Sequence, residues 1–467
     1  MAYIVGLDRN QTRMVTTSLN DLIDKDNSVR VIDAYVESLD LKELGFTEYS
    51  GSNRGQAPYR RSDLLKLHIY GYLNKIRSSR ALEVEAKRNL ELMWLINSVT
   101  PDHGTIAGFV QKNKKAFHNT LRNLTLILKG WGLIDGKLVA IDGTKIKAQN
   151  SKHNCITQSG LDKKIEYAEA QINAYLMAME KEDSLNENLK EKLQAYQDLK
   201  EEYLKQKQDL KDEGLEQKSL TDTDSRRMKN NGSLDICYNV QSVVDAQNHF
   251  VIDISTTNDI NDQNQLYVMA KDAADLLGTE KQKVLADTGY YNGTEIKNCI
   301  DDGMTVYIKK ARANNSTKEN EFRKEKFVYD KEKDVYVCPA GNQLLFFENT
   351  SKNGIRYRRY KCTECNTCKY KDSCTSSSRG RTIQRWEHED VLDAVRRVTL
   401  DNNNTYKQRR CIVEHPFGTV KRTLGYSFFL RKQIDNVDAE ASSMFIAYNI
   451  KRLLSMFSTQ ELIKKFG

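Results

Sequence analysis

Two short apolar runs each deliver an aspartate close to a glycine, Leu138-Val-Ala-Ile-Asp142-Gly143 and Val284-Leu-Ala-Asp287-Thr-Gly289, and far downstream Glu414 stands among Arg409, Arg410 and Lys421. Carboxylates are hard oxygen donors that suit Mg²⁺ or Mn²⁺, ions that keep part of their water shell. Two such ions about 3.5–4 Å apart activate a nucleophile and stabilise the leaving oxygen of an in-line phosphoryl displacement. With Asp142, Asp287 and Glu414 as ligands of such a two-metal site, the chemistry is phosphodiester cleavage or transfer.

Each aspartate taken singly is also an ordinary turn former, because an apolar strand followed by Asp-Gly is common at strand ends. The metal reading rests on the three together. On a helix at about 100° per residue, Arg410 at minus four and Lys421 at plus seven lie within about 40° of Glu414. A carboxylate and cations then share a face, as expected where a metal ligand meets a polyphosphate backbone. Pro416 and Gly418 are expected to bend or interrupt the helix after Glu414.

A second set of candidate ligands is sulfur. Five of the nine cysteines, Cys338, Cys362, Cys365, Cys368 and Cys374, fall within one segment that is also basic and aromatic. Cys338, Cys365, Cys368 and Cys374 supply the four thiolates of a closed structural Zn²⁺ site, with Cys362 as an alternative to Cys365; free thiols in a reducing compartment are the competing reading. Tetrathiolate zinc leaves no open position, so its role is folding and DNA-surface shaping. The isolated Cys155, Cys237, Cys299 and Cys411 read as small core residues.

The elements that must position these residues follow from periodicity. Residues 60–130 read as helical, opened by Ser62-Asp63 and again by Thr100-Pro101-Asp102. Tyr59, Arg60, Arg61, Lys75, Arg77, Arg80, Lys112, Lys114 and Lys115 either track phosphates or form a solvated face. From Leu161 to Glu213 there is no glycine or proline, and Leu161, Ile165, Ala168, Ile172, Tyr175 and Met179 step by 4, 3, 4, 3 and 4. With a polar break at Glu182-Asp183-Ser184, this is a helical hairpin, architectural and a candidate dimer contact. Ile236–Asp245 and Phe250–Ser255 read as a β-hairpin, Gln263–Leu277 as a helix leading to the strand that ends at Asp287, and 439–457 as a helix covering the sheet. The fold class is α/β, a mixed sheet flanked by helices and interrupted by insertions.

The chain has 467 residues, 39% of them apolar, and a formal net charge of +8 with a pI near 8.8. That charge admits nucleic acid as a partner without requiring it. No run approaches the roughly 18 apolar residues of a membrane span, and Met1–Arg9 lacks a signal pattern, so a cytoplasmic protein is expected.

The Asp142-Gly143-Thr144-Lys145, Asp287-Thr288-Gly289-Tyr290 and Tyr406, Arg410, Glu414, Lys421 elements resemble the DDE transposases of bacterial insertion sequences, in the branch with a Tyr-Arg-Glu-Lys signature. Arg410 and Lys421 match that signature's spacing; Arg409 restores the spacing from Tyr406 but breaks the other. The resemblance implies an RNase H-like sheet with the first aspartate on the first strand, the second on the fourth and the glutamate on a later helix. It implies DNA transposition: binding of terminal inverted repeats, metal-dependent strand cleavage, and strand transfer of a 3′-hydroxyl into target DNA. Arg409, Arg410, Tyr406 and Lys421 would then contact DNA, and Tyr290 either positions a nucleotide or belongs to the core. A homodimer assembled on double-stranded DNA ends and nucleoid association are implied partners and location. A nuclease without strand transfer, and a non-catalytic DNA-binding regulator, are the alternatives. The corresponding domains are 1–130, helical and DNA-binding; 131–160 and 218–310, the catalytic sheet; 161–217, the helical hairpin; 311–400, the Cys-rich zinc segment; and 401–467, the C-terminal catalytic helices.

Overall fold

A computed structural model describes residues 17–47, 57–181, 187–230, 232–310, 320–352 and 354–467. In chain order the helices are α1 (Val29–Glu37), α2 (Arg61–Leu73), α3 (Ser79–Arg88), α4 (Leu90–Leu95), α5 (His103–Lys112), α6 (Lys114–Gly130), α7 (Gln158–Lys181), α8 (Glu187–Asp212), α9 (Leu266–Leu277), α10 (Gly293–Asp301), α11 (Lys371–Cys374), α12 (Glu389–Asp401), α13 (Asn403–Gly418), α14 (Ile434–Met456) and α15 (Thr459–Phe466). The strands are β1 (Leu138–Lys147), β2 (Cys155–Thr157), β3 (Gln217–Ser219), β4 (Arg226–Asn230), β5 (Ser233–Asp245), β6 (Val251–Thr257), β7 (Lys283–Ala286), β8 (Thr305–Tyr307), β9 (Val328–Asp330), β10 (Val335–Val337), β11 (Gln343–Lys352), β12 (Ile355–Cys362) and β13 (Thr382–Trp386). The polar break at Glu182-Asp183-Ser184, the opening residues 311–319 of the Cys-rich segment and the N-terminal Met1–Arg9 lie outside the described residues. Among the described residues no helix is long and apolar enough to cross a membrane.

The chain divides into two compact units: residues 1–135, 143–260 and 412–467 form one, and residues 136–142 and 261–411 the other. In the first unit, α14 is buried on nearly all sides, from Val437 through Leu453. A helix apolar all round belongs in a core, and α14 packs against α2, α6 and β6. Two polar side chains fix that packing. Asn449 accepts from the Val251 backbone N–H at 3.0 Å and donates to the Val251 carbonyl at 2.9 Å, and the Thr125 hydroxyl donates to the Ile252 carbonyl at 2.8 Å. The β-branched run of β5 pairs antiparallel with β6, and its N-terminal end with β4. Helices α7 and α8 pack along each other, closed at the base by Ile156, Leu161 and Leu210 and farther out by the Tyr175 and Tyr196 rings at 5.7 Å.

In the second unit, β1 pairs in parallel with β7 and β7 with β8, with the register Ile141 to Ala286. Helices α10 and α12 pack on β8, and α9 packs on α10. Residues 328–386 form a five-stranded antiparallel sheet in the order β13-β12-β11-β10-β9. Its core is aromatic: Tyr336 and Tyr360 lie 5.2 Å apart, with Leu344, Ile383 and Cys362 beside them. Strand β1 is shared by both units, which gives the mixed order β4-β5-β1-β7-β8 with β6 on β5.

Three local expectations are corrected. Strand β1 does not end at Asp142. It runs on to Lys147, because Lys147 makes backbone bonds to Ser427 and Phe429, 3.2 and 2.8 Å long, and so has a partner to extend along. The helix expected from Gln263 starts at Leu266, after a polar turn in which Gln265 N–H donates to the Asp262 carbonyl. Pro416 does not end α13; the helix passes through it to Gly418 and then widens into a π-helical turn at Thr419–Thr423, a way of accommodating the amide that proline lacks.

Candidate active site

Asp142 and Asp287 each come directly after the paired residues Ile141 and Ala286 on adjacent parallel strands, which lie about 4.8 Å apart. Both strands are apolar up to that point and buried, and both carboxylates are half-buried where burial breaks off. Asp287 caps a short 3₁₀ turn at Thr288–Tyr290 by accepting from the Gly289 N–H at 2.7 Å. A side chain on residue 289 would place a Cβ 2.9 Å from Asp287 Oδ1 and 3.7 Å from Asp262 Oδ2. Glycine there lets the two carboxylates approach the turn.

Tyr290 is fully buried. Burial pushes its hydroxyl well above the ordinary tyrosine value, and the negative charges of Asp262, Asp142 and Asp287 push the same way against Arg409. These five side chains therefore share one electrostatic environment. With no exposed surface, the Tyr290 ring presents no free face for a base to stack on in this structure.

Arg409, on α13, places Nη1 3.5 Å from Asp142 Oδ2. It also lies near Tyr406, whose hydroxyl is raised by burial and by Asp287 against the lowering effect of Arg409. Lys309 lies over the Tyr406 ring at 4.7 Å and donates to Asn403 Oδ1 at 2.8 Å. Of the alternative arginines, Arg409 is the one set against Asp142; Arg410 is exposed. Asp262 and Lys309 were not legible as site residues. Asp262 follows no apolar strand and sits in the polar run Asn258-Asp-Ile-Asn-Asp262, which carries only a turn signal.

Glu414 and Lys421 belong to the other unit. Glu414 is exposed on α13, next to the buried Ile412, Val413 and Pro416 that seat the helix. Lys421 is half-buried in the π-helical turn and donates to the Lys145 carbonyl at 2.7 Å; burial lowers its ammonium's affinity for a proton, Lys145 adds to this, and Cys237 opposes it. Its ammonium is thus already engaged by backbone. Arg77 is likewise engaged, by the Phe428 carbonyl at 2.7 Å and by Glu440.

Cys338, Cys362, Cys365, Cys368 and Cys374 line one cavity of about 20 Å³ with Phe322, Phe327 and Arg381. All are free thiols. The Arg381 backbone N–H donates to Cys365 Sγ at 3.4 Å. Among the described residues, no group of three or more His, Cys, Asp or Glu side chains is arranged to hold a metal ion. The donor chemistry fits zinc at the sulfurs and a hard divalent ion at the carboxylates; the side-chain spacing does not form a ready cage at either. Cys237 and Cys299 are core residues as expected, whereas Cys411 is exposed because it falls on the outer face of α13.

Residues 337–454 match the family described as "Transposase DDE domain", and residues 17–112 match "Transposase domain (DUF772)". Each match covers less than half of the chain, and each segment is similar to a transposase domain. The first match contains Glu414, Arg409, Arg410, Lys421 and the five clustered cysteines, and neither contains Asp142 or Asp287. A solved structure described as "Cryo-EM structure of piggyBac transposase synaptic complex with hairpin DNA (SNHP)" is similar at 8% identity and a TM-score of 0.30, over 94% of this chain and 79% of that one. No curated protein matches the chain.

Proposed function

We propose that the protein is a transposase that binds the inverted-repeat ends of an insertion sequence in double-stranded DNA, cleaves them with Mg²⁺ or Mn²⁺, and joins them to target DNA as a homodimer. The observation that carries this reading is the convergence of Asp142 and Asp287 at the ends of two paired parallel segments, with Arg409 against the first. The parallel β1, β7 and β8 with antiparallel β5 and β6 support an RNase H-like sheet, and Asp142, Asp287 and Glu414 are proposed as its catalytic metal ligands. When bound, the ions would supply an activated oxygen nucleophile and charge neutralisation at the leaving oxygen. The chain's own contribution is to hold two carboxylates in register, to keep the Tyr290 hydroxyl protonated beside them, and to present Arg409 and Arg410 to phosphates. Arg410 is the exposed cation of the pair, so it carries the larger share of proposed DNA contact; Tyr406 and Lys421 are proposed to shape the strand's path.

The Cys-rich sheet is proposed to hold one structural Zn²⁺ through Cys338, Cys365, Cys368 and Cys374, with Cys362 as the alternative to Cys365. Nucleoid-associated action in a bacterial cytoplasm follows from the DNA substrate. The test is incubation of the full chain with DNA carrying the sequences that flank its coding region and a target plasmid in Mg²⁺. Cleavage plus joined products supports transposition; cleavage without joined products would reduce the function to a nuclease, and neither would refute it.

A further inference from the structure

The positive charge of the chain is concentrated in one place. Residues 321–386, which hold the five-stranded sheet, carry fifteen Lys and Arg against eight Asp and Glu, a net +7 out of the +8 of the whole chain. The same segment exposes large apolar side chains: Leu345 is 48% exposed, Phe347 56% and Val328 67%. Such residues scattered singly are ordinary, but several on one face of a sheet mark a binding surface.

The register puts these three on one face. Leu345 pairs with Val335 on β10 and with Lys361 on β12, and residues directly opposite in a sheet point the same way. Val337, two residues beyond Val335, pairs with Val328 and adds it to that face. Phe347 is the extra residue of a β-bulge between Phe346 and Glu348, and the Lys361 ammonium lies over its ring at 5.3 Å, which sets the ring on the Leu345 and Lys361 side. The buried Leu344, Tyr360 and Cys362 take the opposite face. Strand β11 pairs with β10 only over Gln343–Leu345, so Phe347 stands where β12 alone continues beside it. Arg358 and Arg359 are paired with Asp334 and Glu348, whereas Lys361 makes no ion pair among the described residues.

The combination selects its occupant. A second copy of the chain would bring +7 against +7, and like charges repel. Double-stranded DNA would satisfy the cations, but its bases are stacked on one another and offer no face to a ring. In a single strand every base has a free π-face beside a phosphate, and aromatic side chains set among cations are how proteins hold such strands.

We propose that this face binds single-stranded DNA, with one base stacked on Phe347, the next packed against Leu345, and a phosphate between them on Lys361. The proposal deepens the transposase reading, on which it rests for DNA as the polymer, by naming the form of DNA that this sheet holds.

The test is equilibrium binding of the full chain, without Mg²⁺, to a labelled oligothymidylate and to an abasic oligomer of the same length and charge, followed by fluorescence anisotropy. Oligothymidylate is expected to bind about tenfold tighter than the abasic oligomer. Phe347→Ala is expected to shrink that difference to less than about twofold with the abasic affinity unchanged, and Lys361→Gln to weaken both oligomers alike. Phe347 is exposed, so neither its loss nor its replacement empties a core. Phe347→Trp adds a reporter whose emission is expected to be quenched by oligothymidylate and not by the abasic oligomer. Equal binding of the two oligomers, a preference retained by Phe347→Ala, an unquenched Phe347→Trp chain with oligothymidylate bound, or a Phe347→Ala loss that appears on blunt duplex instead, overturns the proposal. Because no cleavage is read, a negative result here leaves the transposase assay standing, and a failed cleavage assay leaves this preference measurable.

Discussion

Arg409 Nη1 lies 3.5 Å from Asp142 Oδ2, so the half-buried carboxylate proposed as a metal ligand has a guanidinium beside it before any ion arrives. The pairing makes binding and chemistry separable. Asp142→Asn removes the negative charge that holds Arg409 and repels phosphate. In EDTA, the variant is expected to bind DNA a few-fold tighter than wild type while losing Mg²⁺-dependent cleavage. A parallel fall in binding, read by anisotropy, would contradict the role given to this pair.

His118 on α6 lies between Asp253 at 3.0 Å and Asp438 at 2.9 Å, and so ties α6 to β6 and α14. Burial pulls the imidazole down, but the two carboxylates outweigh it and raise it to about 10. A group whose folded value is raised stabilises fully below its unfolded value near 6.5, and the contribution is lost as pH rises through about 10. His118→Gln is therefore expected to lower the unfolding free energy by on the order of 2 kcal/mol at pH 6 and by much less at pH 10.5. Thermal or denaturant melts of both chains at the two pH values check this, and an undiminished difference at high pH would count against it.

Tyr290 separates packing from charge. Tyr290→Leu opens space in a fully buried site and is expected to destabilise by about 2–4 kcal/mol. Tyr290→Phe keeps the ring and is expected to cost about 1 kcal/mol while leaving DNA affinity unchanged. A large loss of DNA affinity in the phenylalanine variant, which keeps the ring, would instead give the hydroxyl a part in positioning a nucleotide.

For the cysteine cluster, metal analysis of the purified full chain is expected to find about one Zn²⁺, lost in Cys368→Ser together with a lowered melting temperature. Finding no zinc in protein prepared without chelators would leave the five thiols as part of the aromatic sheet's core alone.

What was legible in the sequence follows how local the cause is. The β5 and β6 hairpin and the α7 and α8 pair were readable because β-branched runs and a glycine-free apolar repeat act through near neighbours. The extent of β1 was not, because the partners that prolong it past Asp142, Ser427 and Phe429, lie far along the chain. Asp142 and Asp287 could be found from their apolar approaches, whereas Asp262 reaches Tyr290 and Gly289 only through the folding of a polar turn. Spacing leaves both Arg409 and Arg410 open, and the ion pair of Arg409 with Asp142 depends on how α13 packs, which spacing does not carry. The five-stranded sheet around the cysteines was hidden because its strands are short and its aromatic positions do not alternate cleanly.

The most direct test of the central claim is the rate of Mg²⁺-dependent cleavage of end-bearing DNA by Asp142→Asn, Asp287→Asn and Glu414→Gln, each with DNA binding measured alongside. If these three residues hold the catalytic ions, every variant binds DNA and each loses cleavage by about 10³-fold or more. Cleavage at the wild-type rate by any one of them, in folded protein, would contradict the site.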